Sequence, residues 1–230
     1  MQKLFQNGSW LLTWEQTPER VMVASERPLT VLSSAVYGGE KKTALRLINR
    51  HVPLSYAASD PEGEIAGWLL RSNLDPEESV VLLTAADIDR GCLRVIEEKT
   101  FRLAVFATAG VSNAARAGEA YPVFWHHSDL RPGTINLMIV IDGKMTAAAM
   151  INAVMTATEA KAAALQDLHV KDAHGKQATG TTTDAVIIAA TQMELAGYTH
   201  VYAGVTTPLG NAIGQAVSAS VRQAVAGSGG

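Results

Sequence analysis

The order of strand-like and helix-like segments constrains the fold of this chain more than any other feature. Short β-rich segments separated by turn signals come first, at Ser9–Trp14, Arg20–Ser25 and Leu29–Ser34. Strand and helix patterns do not then alternate regularly, as they would in a doubly wound parallel sheet. We therefore predict an α+β fold in which a layered sheet carries packed helices. A single domain is expected over residues 1–226, followed by a disordered tail over 227–230.

Mainly apolar runs predict the remaining strands, and several of these strands are expected to be buried. The runs are Ser79–Ala85, Cys92–Ile96, Phe101–Thr108, Thr134–Ile141 and Ala185–Ala190. The pair Asp142-Gly143 predicts a tight, hairpin-like turn after the fourth run.

Four segments have helical spacing or helix start signals. In Lys41–Arg50, Ala44, Leu47 and Ile48 share one helical face. Asp60-Pro61 is a favourable start, with aspartate as the N-cap and proline at the first helical position. The helices are predicted at Lys41–Arg50, from Asp60-Pro61 to Leu70, at Thr146–Leu168 with Thr146 as the N-cap, and at Leu209–Ala226.

Composition excludes several classes of protein. A formal net charge of −3 and the lack of a basic block argue against nucleic acid as a partner. Cys92 is the single cysteine, so no internal disulfide can form, which fits a reducing compartment. Neither a signal peptide nor an apolar run long enough to span a membrane is evident. We expect a cytoplasmic protein that needs no membrane, and a homodimer is possible.

Three polar, glycine-bounded loops share a composition suited to chemistry. They lie at Thr108–Gly118, Gly180–Asp184 and Gly204–Gly210. Each offers backbone N–H groups and hydroxyls that could stabilise an oxyanion or hold an amide. The alternative is that each is an ordinary tight turn.

Two carboxylates are the candidate catalytic groups. Asn152, Thr156 and Glu159 lie at offsets of four and three on the longest predicted helix, which puts them on one face. Among small apolar residues Glu159 could act as a general base, although a solvated stripe is the alternative. Asp184, before a buried strand, could orient a water or a hydroxyl, or could simply cap backbone N–H groups.

Histidine and cysteine give no further strong signal. The six histidines lack the spacing of a metal site, so no metal is predicted. Trp125-His126-His127 is an unusual cluster that could pack against a flat macrocycle, but an exposed loop is the alternative. Cys92 is expected to be a buried apolar residue rather than a nucleophile.

Taken in order, these segments resemble the adenosylcobinamide amidohydrolase family over most of residues 31–225. The resemblance rests on TAGVSNAARAG at 108–118, PGTIN at 132–136, NAV at 152–154 with TEAKAAAL at 158–165, TGTTTD at 179–184 and YAG with Thr207 and Leu209-Gly210; Gly38-Gly39 and Thr84–Ala86 also fit. The resemblance implies hydrolysis of the amide that joins the corrin ring to aminopropanol. The products are adenosylcobyric acid and 1-amino-2-propanol, and the pathway is corrinoid salvage. No cofactor is then required, since the corrinoid substrate itself carries the cobalt.

Two mechanisms are open for such a reaction. In the first, Glu159 or Asp184 activates a water, and backbone N–H groups near Ser112-Asn113, with the Asn136 amide, stabilise the oxyanion. In the second, Thr134 or Thr181 is a nucleophile, since each follows a glycine and an N-terminal threonine formed by self-cleavage can hydrolyse amides. The predicted substrate-binding residues are Thr108, Ser112, Asn113, Thr134, Asn136, Asn152, Thr181, Thr182, Gly204 and Thr207.

Two other functions remain as alternatives to this reaction. A corrinoid-binding module would use the same loops to hold the macrocycle without hydrolysing it. An amide hydrolase for a different substrate would use the same chemistry.

Overall fold

A nine-stranded sheet that curls on itself organises the molecule, as the computed structural model describes it for residues 1–8, 10–123 and 134–228. The strands are β1 Gln2–Asn7, β2 Trp10–Gln16, β3 Arg20–Ser33, β4 Thr43–His51, β5 Ser79–Thr84, β6 Cys92–Glu97, β7 Arg102–Ala109, β8 Ala114–Ala115, β9 Ile135–Asp142, β10 Lys144–Met145, β11 Gly180–Thr181, β12 Ala185–Ala190 and β13 Thr199–His200. The main path of the sheet runs β1-β2-β3-β12-β9-β7-β6, and β4 pairs with both β3 and β5. The helices are α1 Pro61–Arg71, α2 Ala147–Asp167 and α3 Pro208–Ser228, with short 3₁₀ turns at Pro76–Glu78 and Ile88–Arg90.

The central strands are apolar on both faces because two layers cover them. Successive side chains of β7 point to opposite faces. Leu103 and Val105 pack against α2 and α3, whereas Ala104 and Phe106 pack against the layer formed by β1 to β5. A third, smaller core joins α1 to the outer face of β4 and β5. The predicted α+β layered fold is therefore confirmed, and the described ranges contain three helices on a curled sheet.

Alanine lets α2 lie close to its neighbours. Thr146 caps the helix, since its hydroxyl accepts a hydrogen bond from the Ala149 N–H at 3.1 Å. Ala149, Ala153 and Ala157 are fully buried along one side. The strands predicted at Phe101–Thr108, Thr134–Ile141 and Ala185–Ala190 and the helix predicted at Thr146–Leu168 are all confirmed to within about two residues.

The predicted helix at Lys41–Arg50 is wrong, because this segment is strand β4. It pairs antiparallel with β3 and parallel with β5. Leu47 belongs to the core between the sheet layers and Ile48 to the core under α1, so their side chains face opposite ways. Tertiary pairing on both sides has overridden the helical spacing.

Smaller corrections concern the turns and the ends. Arg20–Ser25 and Leu29–Ser34 form one long strand, with an irregularity in its register against β4 between Ala24 and Leu29. Strand β1 was not predicted. Asp142-Gly143 does not close a hairpin, because β10 pairs with β13 in parallel. Helix α3 continues to Ser228, so the predicted disordered tail overlaps the helix by two residues.

Candidate active site

Two of the three predicted loops meet at one end of the central strands. The short strand β8, within 108–118, pairs antiparallel with β11, which opens the 180–184 turn. The Asn113 amide donates to the Thr182 hydroxyl at 2.7 Å, and the Ala117 N–H donates to the Thr179 hydroxyl at 2.9 Å. Thr134, the residue before β9, contacts both loops, because its carbonyl oxygen accepts from the Gly110 N–H at 2.9 Å and its hydroxyl donates to the Thr183 carbonyl oxygen at 2.7 Å.

Asp184 is the centre of this junction, and four donors from the described part of the chain reach its carboxylate. Oδ1 accepts from the Ile135 N–H at 3.0 Å and from the Thr181 hydroxyl at 2.5 Å. Oδ2 accepts from the Thr181 N–H at 3.1 Å and from the Lys161 ammonium. The capping role considered for Asp184 is therefore present, together with an ion pair that the sequence did not suggest.

Lys161 is a buried cation that reaches the junction from α2. The residue is 8% exposed, and in the ion pair the side chains of Lys161 and Asp184 keep 10% and 17% of their exposure. Lysine is almost never this buried unless it is paired. The pair therefore lies largely out of water but remains open to it at one edge.

Gly180 is what allows the lysine and the aspartate to approach each other. A Cβ at this position would overlap Oδ2 of Asp184 and would lie 2.8 Å from Nζ of Lys161. Any other residue at 180 would therefore push the ion pair apart. The glycine of the TGTTTD motif is thus explained by the space that the pair occupies.

A buried chain of hydroxyls and amides continues from Thr134 into the molecule. The Thr134 hydroxyl lies 2.7 Å from the Thr183 carbonyl oxygen and 3.1 Å from the Asn136 Oδ1. The Asn136 amide donates to Asn49 Oδ1 at 2.8 Å, and the Asn49 amide donates to the Thr108 hydroxyl at 3.0 Å. Asn49 and Thr108 are each 0% exposed, and Asn136 is 1% exposed. This network links β4, β7 and β9 between the two sheet layers.

Asn136 does not fit the oxyanion role predicted for it. Its amide nitrogen donates to the Leu83 carbonyl oxygen at 2.8 Å as well as to Asn49. Both N–H bonds of the amide are thus used inside the fold. The side chain is better placed to hold Thr134 than to bind a substrate oxygen.

Glu159 is not brought to this site. It is exposed, whereas Lys161 two positions along α2 is buried. Two residues correspond to about 200° around a helix, so Glu159 points away from the side that carries Lys161. The argument for Glu159 as a base among small apolar residues is therefore wrong.

The other two members of that predicted face also have different surroundings. The buried Thr156 donates to the Ala203 carbonyl oxygen at 2.8 Å. Asn152 is half-buried, and nine residues of helix separate it from Lys161 by about 13 Å along the axis. Thr156 therefore contacts Ala203 rather than the aspartate junction.

The third glycine-bounded loop is a helix cap. The Thr207 hydroxyl lies 2.8 Å from the Gly204 carbonyl oxygen and accepts from the Gly210 N–H at 3.0 Å, at the start of α3. Gly210 sits so close to Gly204 that a Cβ would overlap its carbonyl oxygen. Among the hydrogen bonds of the described residues, none joins Gly204 or Thr207 to Asp184.

An open groove of about 500 Å³ lies along α3, away from the junction. It is lined by Val205 and by α3 residues that include Asn211, Gln215 and Arg222. None of the residues around Asp184 contributes to its walls. Its size alone does not make it the reaction site, because it holds no nucleophile paired with a base.

A polar clip fastens the 108–118 loop at its far end. The Tyr121 hydroxyl donates to Asp172 Oδ2 at 2.5 Å and accepts from the Arg116 N–H at 2.8 Å. The hydrogen bond from Tyr121, with two backbone N–H groups, lowers the pKa of Asp172 below its usual value. The same bond raises the pKa of Tyr121. The clip fixes one wall of the junction.

The remaining candidate residues from the sequence lie at the surface, in the core or outside the described residues. Ser112 and Thr182 are exposed at the mouth of the junction, and Cys92 is buried as expected. Trp125-His126-His127 and Pro132-Gly133 lie outside the described residues. Within residues 1–8, 10–123 and 134–228, no three His, Cys, Asp or Glu side chains are grouped as metal ligands. No helix in the same ranges is long and apolar enough to cross a membrane.

Two solved structures resemble this fold at low identity. The PH0078 protein from Pyrococcus horikoshii OT3 is 11% identical, with a TM-score of 0.46 over 94% of this chain and 78% of that one. A Burkholderia sp. beta-aminopeptidase is 12% identical, with a TM-score of 0.43 over 97% of this chain and 81% of that one.

Two relatives found by sequence have higher identities to this chain than these two structures do. The adenosylcobinamide amidohydrolase of Methanosarcina mazei is 29% identical over 202 residues, which is 83% of this chain and 87% of the relative. That of Halobacterium salinarum is 31% identical over 201 residues, 84% of this chain and 77% of the relative. The family model described as adenosylcobinamide amidohydrolase matches residues 11–229. The chain therefore belongs to the adenosylcobinamide amidohydrolase family.

Proposed function

We propose that this chain hydrolyses the amide between the corrin ring and aminopropanol in adenosylcobinamide, at the junction around Asp184. The reaction yields adenosylcobyric acid and 1-amino-2-propanol and serves corrinoid salvage. Family membership supports the reaction. The observation that carries the site is the buried Lys161–Asp184 pair, held beside two hydroxyls where two glycine-bounded loops meet.

Amide hydrolysis needs a nucleophile, a base that accepts its proton and donors that stabilise the oxyanion. Asp184 is the proposed base, since Glu159 points away from the junction. Of the four donors that reach the Asp184 carboxylate, two are backbone N–H groups and one is the Lys161 ammonium. The fourth is the hydroxyl of Thr181.

This arrangement favours Thr181 over a free water as the attacking group. Its O–H already points at Asp184 Oδ1, so the proton can pass to the carboxylate as the oxygen attacks the carbonyl carbon. A water would have to displace one of the four donors. An ester with Thr181 would then form and be hydrolysed by water in a second step.

Thr134 is the rival nucleophile. Its hydroxyl faces the Thr183 carbonyl and the Asn136 amide oxygen, which are neutral and are weak bases. As an N-terminal residue it would instead have its own amine as the base. That route requires cleavage before residue 134, so the intact mass of the active enzyme tests it.

The remaining groups of the junction are proposed to bind the substrate. The backbone around Ser112-Asn113 is the proposed oxyanion site, because Asn113 is hydrogen-bonded to Thr182 at the mouth of the junction. Thr182 and Ser112 are exposed there and can meet an incoming amide side arm. In this proposal the corrin ring stays largely outside the junction, and its cobalt takes no part in the hydrolysis. We also place the enzyme in the cytoplasm, which the lone cysteine supports.

The test is incubation of the purified protein with adenosylcobinamide, followed by mass analysis of the corrinoid. We expect loss of the aminopropanol unit. Asp184→Asn should lower kcat by about 10²–10⁴-fold, because general base catalysis contributes that much. Asp167→Asn is the matched control, since Asp167 is an exposed carboxylate at the end of α2 that pairs with Arg222 and not with the junction.

The nucleophile is identified in the same assay. Thr181→Ala should abolish an ester intermediate that mass analysis of the acid-quenched wild-type enzyme detects. If Thr134→Ala alone is inactive and active protein is cleaved before residue 134, the Thr181 route is wrong. An unchanged corrinoid that co-elutes with the protein would leave a binding module in place of an enzyme.

A further inference from the structure

The ammonium group of Lys161 has hydrogen-bonding capacity that the ion pair does not use. A lysine ammonium carries three N–H donors. Within the described residues, its hydrogen-bond partner is Asp184 Oδ2. Two protons are thus available to a further acceptor, on a residue that sits beside the proposed base and is 8% exposed.

We infer that Lys161 is the general acid of the reaction and protonates the amine that leaves the substrate. The inference rests on the proposed function and adds to it a proton donor, Lys161, beside the proton acceptor Asp184. An amide nitrogen is a poor leaving group unless it takes up a proton as the C–N bond breaks. Asp184 contacts both the Thr181 hydroxyl and the Lys161 ammonium, so the proton acceptor and the proton donor adjoin one another.

The protons balance in both steps of one turnover. The first step releases the amine and begins at the Thr181 hydroxyl. The nucleophile's O–H proton passes to Asp184 as the O–C bond forms and a negative charge develops on the carbonyl oxygen. When this intermediate collapses, the C–N bond breaks, and the nitrogen keeps the electron pair and takes a proton from Lys161 Nζ. The neutral Lys161 then regains a proton from the carboxyl group of Asp184, and the ion pair is restored. In the second step, water attacks the Thr181 ester and gives one proton to Asp184, and the Thr181 oxygen takes that proton back as its bond to the acyl carbon breaks.

Stability alone is a weak reason for such a pair. Taking two charges out of water costs much of what their attraction returns, and apolar residues of similar volume often serve as well. The neighbours of Lys161 on this side of α2 are Ala157, Ala164 and Leu165, all fully buried. An apolar residue at 161 would match that surface, and the pair further restricts position 180 to glycine. A role in proton transfer accounts for a lysine at this place.

The experiment compares Lys161→Arg and Lys161→Ala with the wild type on adenosylcobinamide. Arginine keeps the positive charge but does not release its proton. We expect kcat of Lys161→Arg to fall by about 10²-fold or more, with KM within a few-fold of wild type. Lys161→Ala should regain activity in proportion to added methylammonium or ethylammonium, which can enter the vacated space. Lys144 is a half-exposed lysine whose ion pair with Glu194 lies outside the junction, so Lys144→Arg and Lys144→Ala serve as matched controls that stay fully active.

Each outcome decides whether Lys161 donates a proton in the reaction or only forms a structural ion pair with Asp184. Wild-type kcat in Lys161→Arg would overturn the inference, because a merely electrostatic role survives that change. Loss of activity in folded Lys161→Arg and Lys161→Ala without rescue by either amine would overturn it as well. If the alanine variant does not fold, kcat of the arginine variant decides. A wild type without turnover would refute the proposed function itself, whereas active Lys161 variants refute only this role.

Discussion

Gly180→Ala perturbs the ion pair without removing either charge. The new Cβ would overlap Asp184 Oδ2 and lie 2.8 Å from Lys161 Nζ. An ordinary contact needs a separation larger by roughly 1 Å, so the pair must shift. The Lys161 side chain is long and flexible, so its ammonium group can move. The carboxylate is also held by the Ile135 N–H and by both donors of Thr181, so it resists.

Two effects of different size are expected. Overpacking at a buried position costs about 1–3 kcal/mol of the free energy of unfolding. A misplacement of about 1 Å among reacting groups lowers kcat by on the order of 10²-fold. Activity should therefore fall much further than the fraction of folded protein does, because a stable domain tolerates the loss of a few kcal/mol.

The assay measures kcat for aminopropanol release and the free energy of unfolding in urea. Gly214→Ala is the control, since a Cβ there would meet only Thr156 Cγ2 at 3.9 Å. In the interior of α3 it should stabilise the protein by up to about 1 kcal/mol and leave kcat unchanged. A folded Gly180→Ala enzyme with wild-type kcat would show that the close approach of Lys161 and Asp184 is not needed for the reaction.

Three further predictions concern the scaffold. Asn49→Leu should cost about 1–3 kcal/mol in urea unfolding, since it removes the donor to the buried Thr108 hydroxyl and a partner of Asn136; an unchanged midpoint would refute the network. Burial lowers the pKa of His200, so its stabilising contribution is present above pH about 6.5 and is lost as pH falls through the folded-state pKa. Thermal unfolding should show this loss for the wild type and less of it for His200→Gln. Tyr121→Phe should raise the pKa of Asp172 toward its usual value, because the strongest cause of its lowering is removed; carbon NMR of the carboxyl group tests this.

The sequence predicted those elements whose burial leaves a distinct pattern. Phe101–Thr108 is apolar on both faces because helices cover one face and the second sheet layer covers the other. Thr146–Leu168 has a capping residue and a regular alanine face. Strand β4 has neither signal. Its two faces enter different cores, and Ala44, Leu47 and Ile48 happen to fit helical spacing as well.

The same error concealed part of the site. With 41–50 assigned as helix, Asn49 could not be placed between the sheet layers, where it supports Asn136 and Thr108. Lys161 was hidden for another reason, since a lysine on a helix is normally solvated. One sequence signal could have revealed the burial of Lys161. Lys161 follows Ala153 and Ala157 at intervals of four on the alanine-rich side of the helix, where a solvated charge is not expected.

The three glycine-bounded loops have similar compositions, so the sequence could not tell which of them belongs to the candidate site. The partners of their hydroxyl groups in the structure distinguish them. Gly180–Asp184 and Gly204–Gly210 both contain a threonine whose hydroxyl meets a nearby group, and both have a glycine at a close approach. In the second, every partner is a backbone group, so the hydrogen bonds begin a helix. In the first, the partner is a carboxylate facing a buried ammonium. Only that combination offers a charged group that can take up a proton beside one that can give a proton, which is what amide hydrolysis demands of a site.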